Sequence, residues 1–413
     1  MIRLYCVKLC DGEKKILCSK IMSIKHSEVK MKRNLIKVVT RIVILLLLAC
    51  TLTLCVSAAG SDEIVKEQSQ KSGADSLYNN APDKTKKDLN KLGIKNPDVL
   101  SISNFTPQGM FKLIVEKLKS SVTAPLKAMT AVFGILLLCA LLGTMKNSFG
   151  EKPLKQVFDI VCALCIAAAL IVSVTQCISS AASTIEQSSN FMLTFLPVFV
   201  GLVAASGHPA SAITYQGILI VSSQVISQIS STTFVPMVNI YLAFCVIGSV
   251  SPGVKISGIA GFARKIVDFG LALCLTIFTG ILTIQGLISQ AADTVTMKTA
   301  KFVVGSVIPI VGNSISEAMN TVVSCANLLK TLVGAYAIIV FLLAFLSPVL
   351  ECLLWMLAVD ISLVIADILG IESVIGLLKS VKEALRMLIS LVLAVALAMI
   401  ISVSVMLMLG MGN

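Results

Sequence analysis

The chain is apolar almost throughout after residue 125, and this stretch follows a separate, shorter apolar run at residues 42–56. Hydrophobic residues make up 56% of the chain and charged residues only 14%, which is too little charge to cover the surface of a soluble domain of this length. A helix of about 20 apolar residues spans a bilayer and satisfies its own backbone hydrogen bonds. The composition therefore predicts an all-α, polytopic membrane protein.

The N-terminal region has the layout of a signal peptide. Basic residues end at Arg41, the apolar run follows, and Ser57-Ala58-Ala59 precede Gly60. We expect cleavage between Ala59 and Gly60, with an uncleaved anchor helix as the alternative. The basic region is too long for a normal signal peptide, whereas a start at Met31 would give one. Residues 1–30 are therefore expected to reflect a misassigned start.

The regions that follow from this layout are a leader at 1–59, an exported polar segment at 60–124 and a membrane domain at 125–413. Residues 60–98 are polar and weakly patterned, which predicts partial disorder. Thr106 and Pro107 then begin an amphipathic helix, with Thr106 as the N-cap. Its predicted apolar face consists of Met110, Phe111, Ile114, Leu118 and Val122. This face suits the membrane surface, a partner or the rest of the chain equally well.

The strongly apolar segments are 125–145, 155–178, 191–205, 213–230, 234–251, 266–289, 302–313, 331–348, 349–370 and 387–409. Segments 191–205 and 302–313 contain Pro197 and Pro309 and are short for a bilayer span. The helices predicted at 211–230 and 313–330 carry many polar side chains. Such helices suit a bundle interior, a re-entrant hairpin or a water-filled path.

Clusters of positive charge orient the predicted spans. The clusters are Lys146, Lys152 and Lys155; Lys255, Arg264 and Lys265; and Lys379, Lys382 and Arg386. The predicted loop 179–190 has no Lys or Arg. If the N-terminal segment is exported, all three clusters lie on the cytoplasmic side, provided that the chain crosses the membrane once or three times between residues 190 and 255. We expect six to eight crossings in total and an exported C-terminus.

The net charge of +12 is concentrated in the leader, where residues 1–41 hold 11 Lys and Arg, so it gives no support for nucleic-acid binding.

The chain resembles itself at a spacing near 110 residues. The matched pairs are Asp159–Cys165 with Asp268–Cys274, Ile178–Ile185 with Ile288–Val295, and the Pro197 segment with the Pro309 segment. The order of these matches favours a duplication over chance similarity between apolar sequences. We predict parallel repeats at about 152–260 and 261–370, with a partial third copy at 371–413. In transporters and channels with repeats, the binding site lies between them.

Motifs for catalysis or metal binding are absent from the sequence. Its two histidines, His26 and His208, cannot complete a catalytic set, and no phosphate-binding glycine loop occurs. The Cys162-x-x-Cys165 pair lies in an apolar helix, which favours packing over metal or redox work. We therefore predict no enzyme activity, no metal and no cofactor.

Asp268 is expected to pair with Arg264 or Lys265, one helical turn away.

The most distinctive stretch runs from a charged loop into a broken apolar segment. Asp293, Lys298 and Lys301 precede Pro309 and Gly312. Glycine permits a tight turn and proline removes a backbone donor, so this stretch predicts a hairpin that can line a cavity. Candidate residues for a conduit or re-entrant hairpin are Pro197, Gly207, Asp293, Lys298, Lys301, Pro309, Gly312, Glu317, Lys330 and Gly334. The charged residues among these candidates have two alternative explanations: they line an ion path, or they lie at the ends of the membrane spans.

These features, in this order, resemble the stage III sporulation protein AE family of endospore-forming bacteria. The residues concerned are the signal peptide, Phe195-Leu196-Pro197, Ser206-Gly207, Asp293 to Phe302, Ile308 to Gly312, and Lys330 with Gly334. The resemblance covers most of 60–413 and implies a subunit of a secretion-like channel complex between mother cell and forespore. It also implies a multi-pass location in the mother-cell-derived membrane around the forespore, with other membrane subunits as partners.

Two other hypotheses remain open on the residues alone. A secondary transporter of a small solute would use the repeats and Glu317, and a membrane scaffold would recruit partner subunits without conducting anything. All three hypotheses share the lipid bilayer as a partner and require no nucleic acid. Each of them is compatible with a homo-oligomer.

Overall fold

The computed structural model describes residues 73–98, 101–102, 104–149, 152–250, 257–307 and 312–408. All regular secondary structure in these ranges is helical, and they contain no β-strand. The all-α class predicted from the sequence is therefore confirmed. The leader, with the expected cleavage between Ala59 and Gly60, lies outside the described residues.

Residues 73–98 are folded, whereas the sequence pattern predicted partial disorder over 60–98. A 3-10 turn spans Ala74–Ser76, helix α1 spans Leu77–Asn80 and helix α2 spans Asp83–Lys91. Leu77, Leu89 and Ile94 are fully buried. A few apolar side chains suffice to order this polar segment because the long helices cover them with apolar surface. The sequence of this segment alone does not show that the long helices pack against it.

Helix α3, Pro107–Ser121, begins as the sequence predicts. The Thr106 hydroxyl accepts a hydrogen bond from an amide of the first turn at 3.2 Å. Met110 and Leu113 are buried, whereas 69% of Phe111 is exposed. The helix therefore packs against its own chain, but on a face rotated from the predicted one. We refer to residues 73–121, which contain α1, α2 and α3, as the N-terminal cap.

The rest of the described chain consists of long helices. They are α4 (Thr123–Phe149), α5 (Lys152–Ala205), α6 (Pro209–Ile229), α7 (Val235–Val250), α8 (Ser257–Val307), α9 (Gly312–Leu369) and α10 (Glu372–Met408). A π-helical turn, Ser230–Phe234, joins α6 to α7 without a break. Six helical stretches of the described residues are long and apolar enough to cross a membrane. This number lies within the predicted six to eight crossings.

Several apolar segments predicted as separate are parts of single helices. Segments 155–178 and 191–205 both lie in α5, so the predicted loop at 179–190 is helical. Segments 331–348 and 349–370 likewise both lie in α9, which contains Pro348. Hydropathy alone predicted boundaries there because polar residues or a proline interrupt the apolar run. The helix continues where its neighbours supply enough packing to offset the interruption.

Pro197 shows how α5 tolerates such an interruption. A proline within a helix removes one hydrogen bond and costs about 3 kcal/mol. Phe191, Phe195 and Phe199 surround it in sequence, and all three are fully buried. The Phe191 ring contacts the Phe341 ring of α9 edge-on, with 5.4 Å between centroids. Packing of these rings against neighbouring helices helps to offset the cost of the proline.

The longest helices exceed the thickness of a bilayer. Helix α5 has 54 residues, α8 has 51 and α9 has 58. At 1.5 Å per residue they are about 75–90 Å long, against a hydrocarbon core of about 30 Å. Parts of each helix therefore lie outside the hydrocarbon region when the bundle is in a bilayer.

Glycines in the left-handed region form two of the turns between long helices. Gly207 has φ 96° between α5 and α6, and Gly370 has φ 71° between α9 and α10. Residues with a Cβ rarely adopt this conformation, so the helices end there. The break between α8 and α9 falls at residues 308–311, which are outside the described residues. The hairpin around Pro309 therefore stays a prediction.

One cysteine differs from its predicted role. Cys162 forms a disulfide with Cys139 and thereby links α5 to α4. Packing was the expected role of Cys162, because the Cys162-x-x-Cys165 pair lies in an apolar helix. Cys165 is a free and exposed thiol. The pairing depends on the antiparallel arrangement of α4 and α5, which spacing within one helix cannot reveal.

Candidate functional site

Helices α9 and α10 form the centre of the bundle. Helix α10 contacts α5, α6, α7, α8 and α9, and α9 also contacts α4 and the N-terminal cap. Every residue of α9 from 332 to 346 is buried. A helix that is apolar and buried on all sides is surrounded by other helices. Any movement of this pair therefore changes the contacts of most other helices.

A close contact joins α9 to α10 at one end of the pair. A Cβ placed on Gly334 would lie 2.6 Å from Cδ2 of Leu407, so only glycine permits this approach. Lys330, one turn earlier, is 1% exposed. It is the most buried of the Asp, Glu, Lys and Arg side chains that the structure describes. A buried ammonium group is costly to keep, which marks this turn as a functional candidate.

Ion pairs connect three helices at the other end of the pair. Asp360 of α9 pairs with Lys382 of α10, and their side chains are 12% and 17% exposed. Glu383 of α10 lies 2.6 Å from a guanidinium nitrogen of Arg264 on α8. The six charged side chains of this ion-pair network are Arg264, Asp268, Asp360, Lys382, Glu383 and Arg386. Three are basic and three acidic, so the network is neutral overall.

The spacing of residues predicted only part of this network. Arg264 Nε lies 3.5 Å from Asp268 Oδ2, which confirms the pairing expected from one helical turn. The pairing of Asp360 with Lys382 was missed. A signal for it does exist: Asp360 and Lys382 are nearly equidistant from the turn at Gly370. That signal is usable only once the turn is known to reverse the chain.

The N-terminal cap contains a buried ion pair, and its lysine also contacts α9. The Lys117 ammonium lies 2.6 Å from a carboxylate oxygen of Asp88, and their side chains are 16% and 7% exposed. The same ammonium donates a hydrogen bond to the Ser347 hydroxyl of α9 at 3.4 Å. On the surface, Lys91 donates to Glu116 at 2.6 Å, which raises the pKa of Lys91. Lys117 thus joins α2, α3 and α9 at one point.

Replacing Lys117 with methionine is expected to loosen the cap, because the Asp88 carboxylate would remain buried without its partner. We expect a destabilisation of the cap of about 3 kcal/mol. Limited chymotrypsin digestion of the purified chain, followed by mass spectrometry, measures it as faster cleavage within residues 73–121. Lys119→Met, the same change at an exposed position of α3, is the control. Equal cleavage of the two variants would contradict the anchoring role of Lys117.

Helix α6 buries polar side chains inside the bundle. The Tyr215 hydroxyl donates a hydrogen bond to the Leu282 carbonyl of α8 at 3.2 Å. Ser211, Ser223 and Ser227 are buried on the same helix. This agrees with the expectation that a polar helix over 211–230 avoids lipid.

A groove of about 520 Å³ lies between α5 and α7.

The predicted conduit residues fall in several parts of the fold. Pro197 lies in α5, Gly207 forms the turn after it, and Lys330 and Gly334 lie one turn apart on α9. Asp293, Lys298 and Lys301 belong to the last part of α8, and Gly312 and Glu317 to the start of α9. The structure does not describe the side chains of these last five residues, and Pro309 lies outside it altogether. Their convergence on a conduit therefore stays a prediction.

Fold and site together define a polytopic helical membrane protein with a packed two-helix centre and an ordered N-terminal cap. Residues 98–410 match the family described as Stage III sporulation protein AE, and the chain belongs to that family. It is 26% identical over 251 residues to Stage III sporulation protein AE of Bacillus subtilis (strain 168). That match covers 60% of this chain and 63% of the relative's length. No solved structure matches the chain.

Proposed function

We propose that this chain is a non-enzymatic membrane subunit of a channel complex that links mother cell and forespore, and that forespore development requires it. Family membership over residues 98–410 carries the proposal. The six apolar helical stretches support a subunit embedded in the membrane. The ion-pair network and the packed α9–α10 centre suit a role in holding helices together. Other membrane subunits of the same complex would be its partners.

We further propose a location in the mother-cell-derived membrane around the forespore, with residues 60–124 outside the cytoplasm. Six crossings would then place the α4–α5, α7–α8 and α9–α10 connections inside. The three basic clusters lie in or beside those connections, as the positive-inside rule requires. The ion pair between Arg264 and Glu383 supports this arrangement, because it brings two of the connections to the same end of the bundle.

The proposed orientation gives the N-terminal cap a clear role. The cap would face the space between the two membranes, where a partner in the opposite membrane can reach it. Lys117, which is paired with Asp88 inside the cap, donates a hydrogen bond to Ser347 and so links the cap to α9. Binding at the cap would therefore act directly on the central helix pair. The length of α5, α8 and α9 would extend the same side of the bundle beyond the bilayer.

A membrane scaffold is the second candidate, and one observation favours it. Residues 332–346 of α9 are buried all round, so this stretch of the central helix faces no open conduit. A secondary transporter is the third candidate and would need gradient-driven uptake by the purified chain alone. Proteoliposome flux assays separate them. Flux that requires the other subunits supports the channel, flux by the chain alone supports the transporter, and assembly without flux supports the scaffold.

Depletion of the protein in its native host during starvation tests the proposal most directly. We expect forespores to arrest or collapse after engulfment while vegetative growth stays normal, because only the sporulating cell would need the complex. Fluorescence microscopy of forespore fate and counts of heat-resistant spores measure the effect. A strain that re-expresses the wild-type chain is the control. Normal spores, together with a growth defect on particular nutrients, would reject the proposal in favour of a solute transporter.

A further inference from the structure

The N-terminal cap presents two lysine stripes on its outer surface. On α2, Lys84, Lys87 and Lys91 recur at helical spacing and are exposed. On α3, Lys112 and Lys119 are exposed in the same way. Residues at i, i+3 and i+7 share one face of a helix, so each stripe is continuous.

An ion pair places the two stripes side by side. The Lys91 ammonium lies 2.6 Å from Glu116 Oε1, and Glu116 stands between the two lysines of the α3 stripe. The acidic side chains exposed on α2 and α3 are Asp83 and Glu116, and each is already paired with a lysine. The joined stripes carry five exposed lysines against the single carboxylate of Glu116, so positive charge is in excess there. Four of these lysines, Lys84, Lys87, Lys112 and Lys119, make up the surface that we call the basic face.

The rigidity of the cap keeps this charge in place. Asp88 and Lys117 are paired below the surface, and Lys117 also reaches Ser347 of α9. The lysines of the basic face are thus displayed on helices that are fixed to the central pair. This arrangement differs from a disordered basic tail, in which charges move independently.

We propose that the basic face binds the anionic headgroups of phospholipids. The chemistry of the face favours lipid over an acidic protein. Lysine is a flexible point charge that suits a diffuse anionic surface, and it is depleted from protein–protein interfaces, where arginine and aromatic anchors dominate. Phe111, 69% exposed, stands beside Lys112 and can enter the interfacial region. Helix α3 also leads directly into α4, so the face stays close to a membrane.

The attraction expected from such a face is substantial. Each lysine near an anionic leaflet strengthens binding by about fivefold, and the effect weakens within about 10 Å and with salt. This inference concerns a surface separate from the ion-pair network. It stands whether or not the channel proposal holds, since it depends only on the cap and the adjacent membrane.

Amine acetylation of the full chain in nanodiscs tests the proposal. We expect acetylation of Lys84, Lys87, Lys112 and Lys119, followed by mass spectrometry, to slow about threefold or more when one third of the phosphatidylcholine is replaced by phosphatidylglycerol. High salt should restore the rate. Equal rates in neutral and anionic discs would overturn the proposal. Protection of these lysines in neutral discs, seen only when other subunits are co-purified, would also overturn the proposal. That result would assign the basic face to an acidic protein.

Variants of the four lysines provide a second measurement. Replacing Lys84, Lys87, Lys112 and Lys119 with glutamine should lower the phosphatidylglycerol retained through detergent purification, as measured by native mass spectrometry. The matched control replaces the same four residues with arginine, which keeps the charge and should keep the lipid. Exposed substitutions of this kind leave the fold intact. Equal retention by the glutamine and arginine variants would contradict the role of charge.

Discussion

Asp360→Ala is expected to lower the stability of the purified chain by about 3 kcal/mol, because it leaves the Lys382 ammonium unpaired in a place where it is 17% exposed. Removing one partner of a buried pair costs more than the pair itself contributes, since the remaining charge cannot return to water. The double variant Asp360→Leu with Lys382→Met should recover most of the loss. Thermal unfolding of the detergent-solubilised protein, followed by size-exclusion chromatography, measures both effects.

The control for this prediction lies on the same helix. Asp367 is half-buried two turns from Asp360, and the structure shows it in no ion pair. Asp367→Ala makes the same chemical change without stranding a partner, so its effect should stay near zero. If both alanine variants unfold at the same temperature, the pairing of α9 with α10 through Asp360 does not contribute to stability.

Gly334→Leu is expected to separate α9 from α10. Its Cβ alone would lie 2.6 Å from Leu407 Cδ2, and both residues are buried, so either a backbone or a side chain must shift. Overpacking of this kind costs about 1–3 kcal/mol, and the rest of the leucine side chain adds to it. We expect loss of the folded species in size-exclusion chromatography and loss of heat-resistant spores. Leu407→Ala in the same chain should restore both in part.

Gly376→Leu is the matched control for this steric effect. Gly376 lies on α10, is exposed, and has no atom within 4 Å of an added Cβ. Leucine there replaces a poor helix former and should be neutral or stabilising by up to about 1 kcal/mol. Similar loss of folded protein with both variants would show that the helices do not approach closely at Gly334.

The sequence predicted the features that depend on local spacing. The N-cap at Thr106 and the ion pair between Arg264 and Asp268 both follow from residues within one helical turn. Lys330 was also singled out, because a charge stands out in an apolar run, whereas Gly334 was named only through the family resemblance. The all-α class follows from composition in the same way.

Features that depend on tertiary packing were missed. Segment 191–205 with Pro197 was predicted to be short and separate, and segments 331–348 and 349–370 were predicted to be two. Pro197 and Pro348 nevertheless lie inside continuous helices, since neighbouring helices compensate for the missing hydrogen bond. The partners Asp360 and Lys382 are 22 residues apart, so their contact depends on the turn at Gly370. The order in residues 73–98 similarly comes from the helices that cover them. None of these can be deduced from a window of sequence.

The central position of α10 has a consequence for how the protein is made. Helices α5 to α9 all precede α10 in the chain, and each of them contacts it. During synthesis they therefore enter the membrane before the helix that completes their packing. Until then Asp360 lacks its partner on α10, whereas Arg264 has Asp268 of its own helix but not yet Glu383. A product that ends before residue 382 would therefore carry the Asp360 carboxylate without the ammonium group that neutralises it in the finished chain.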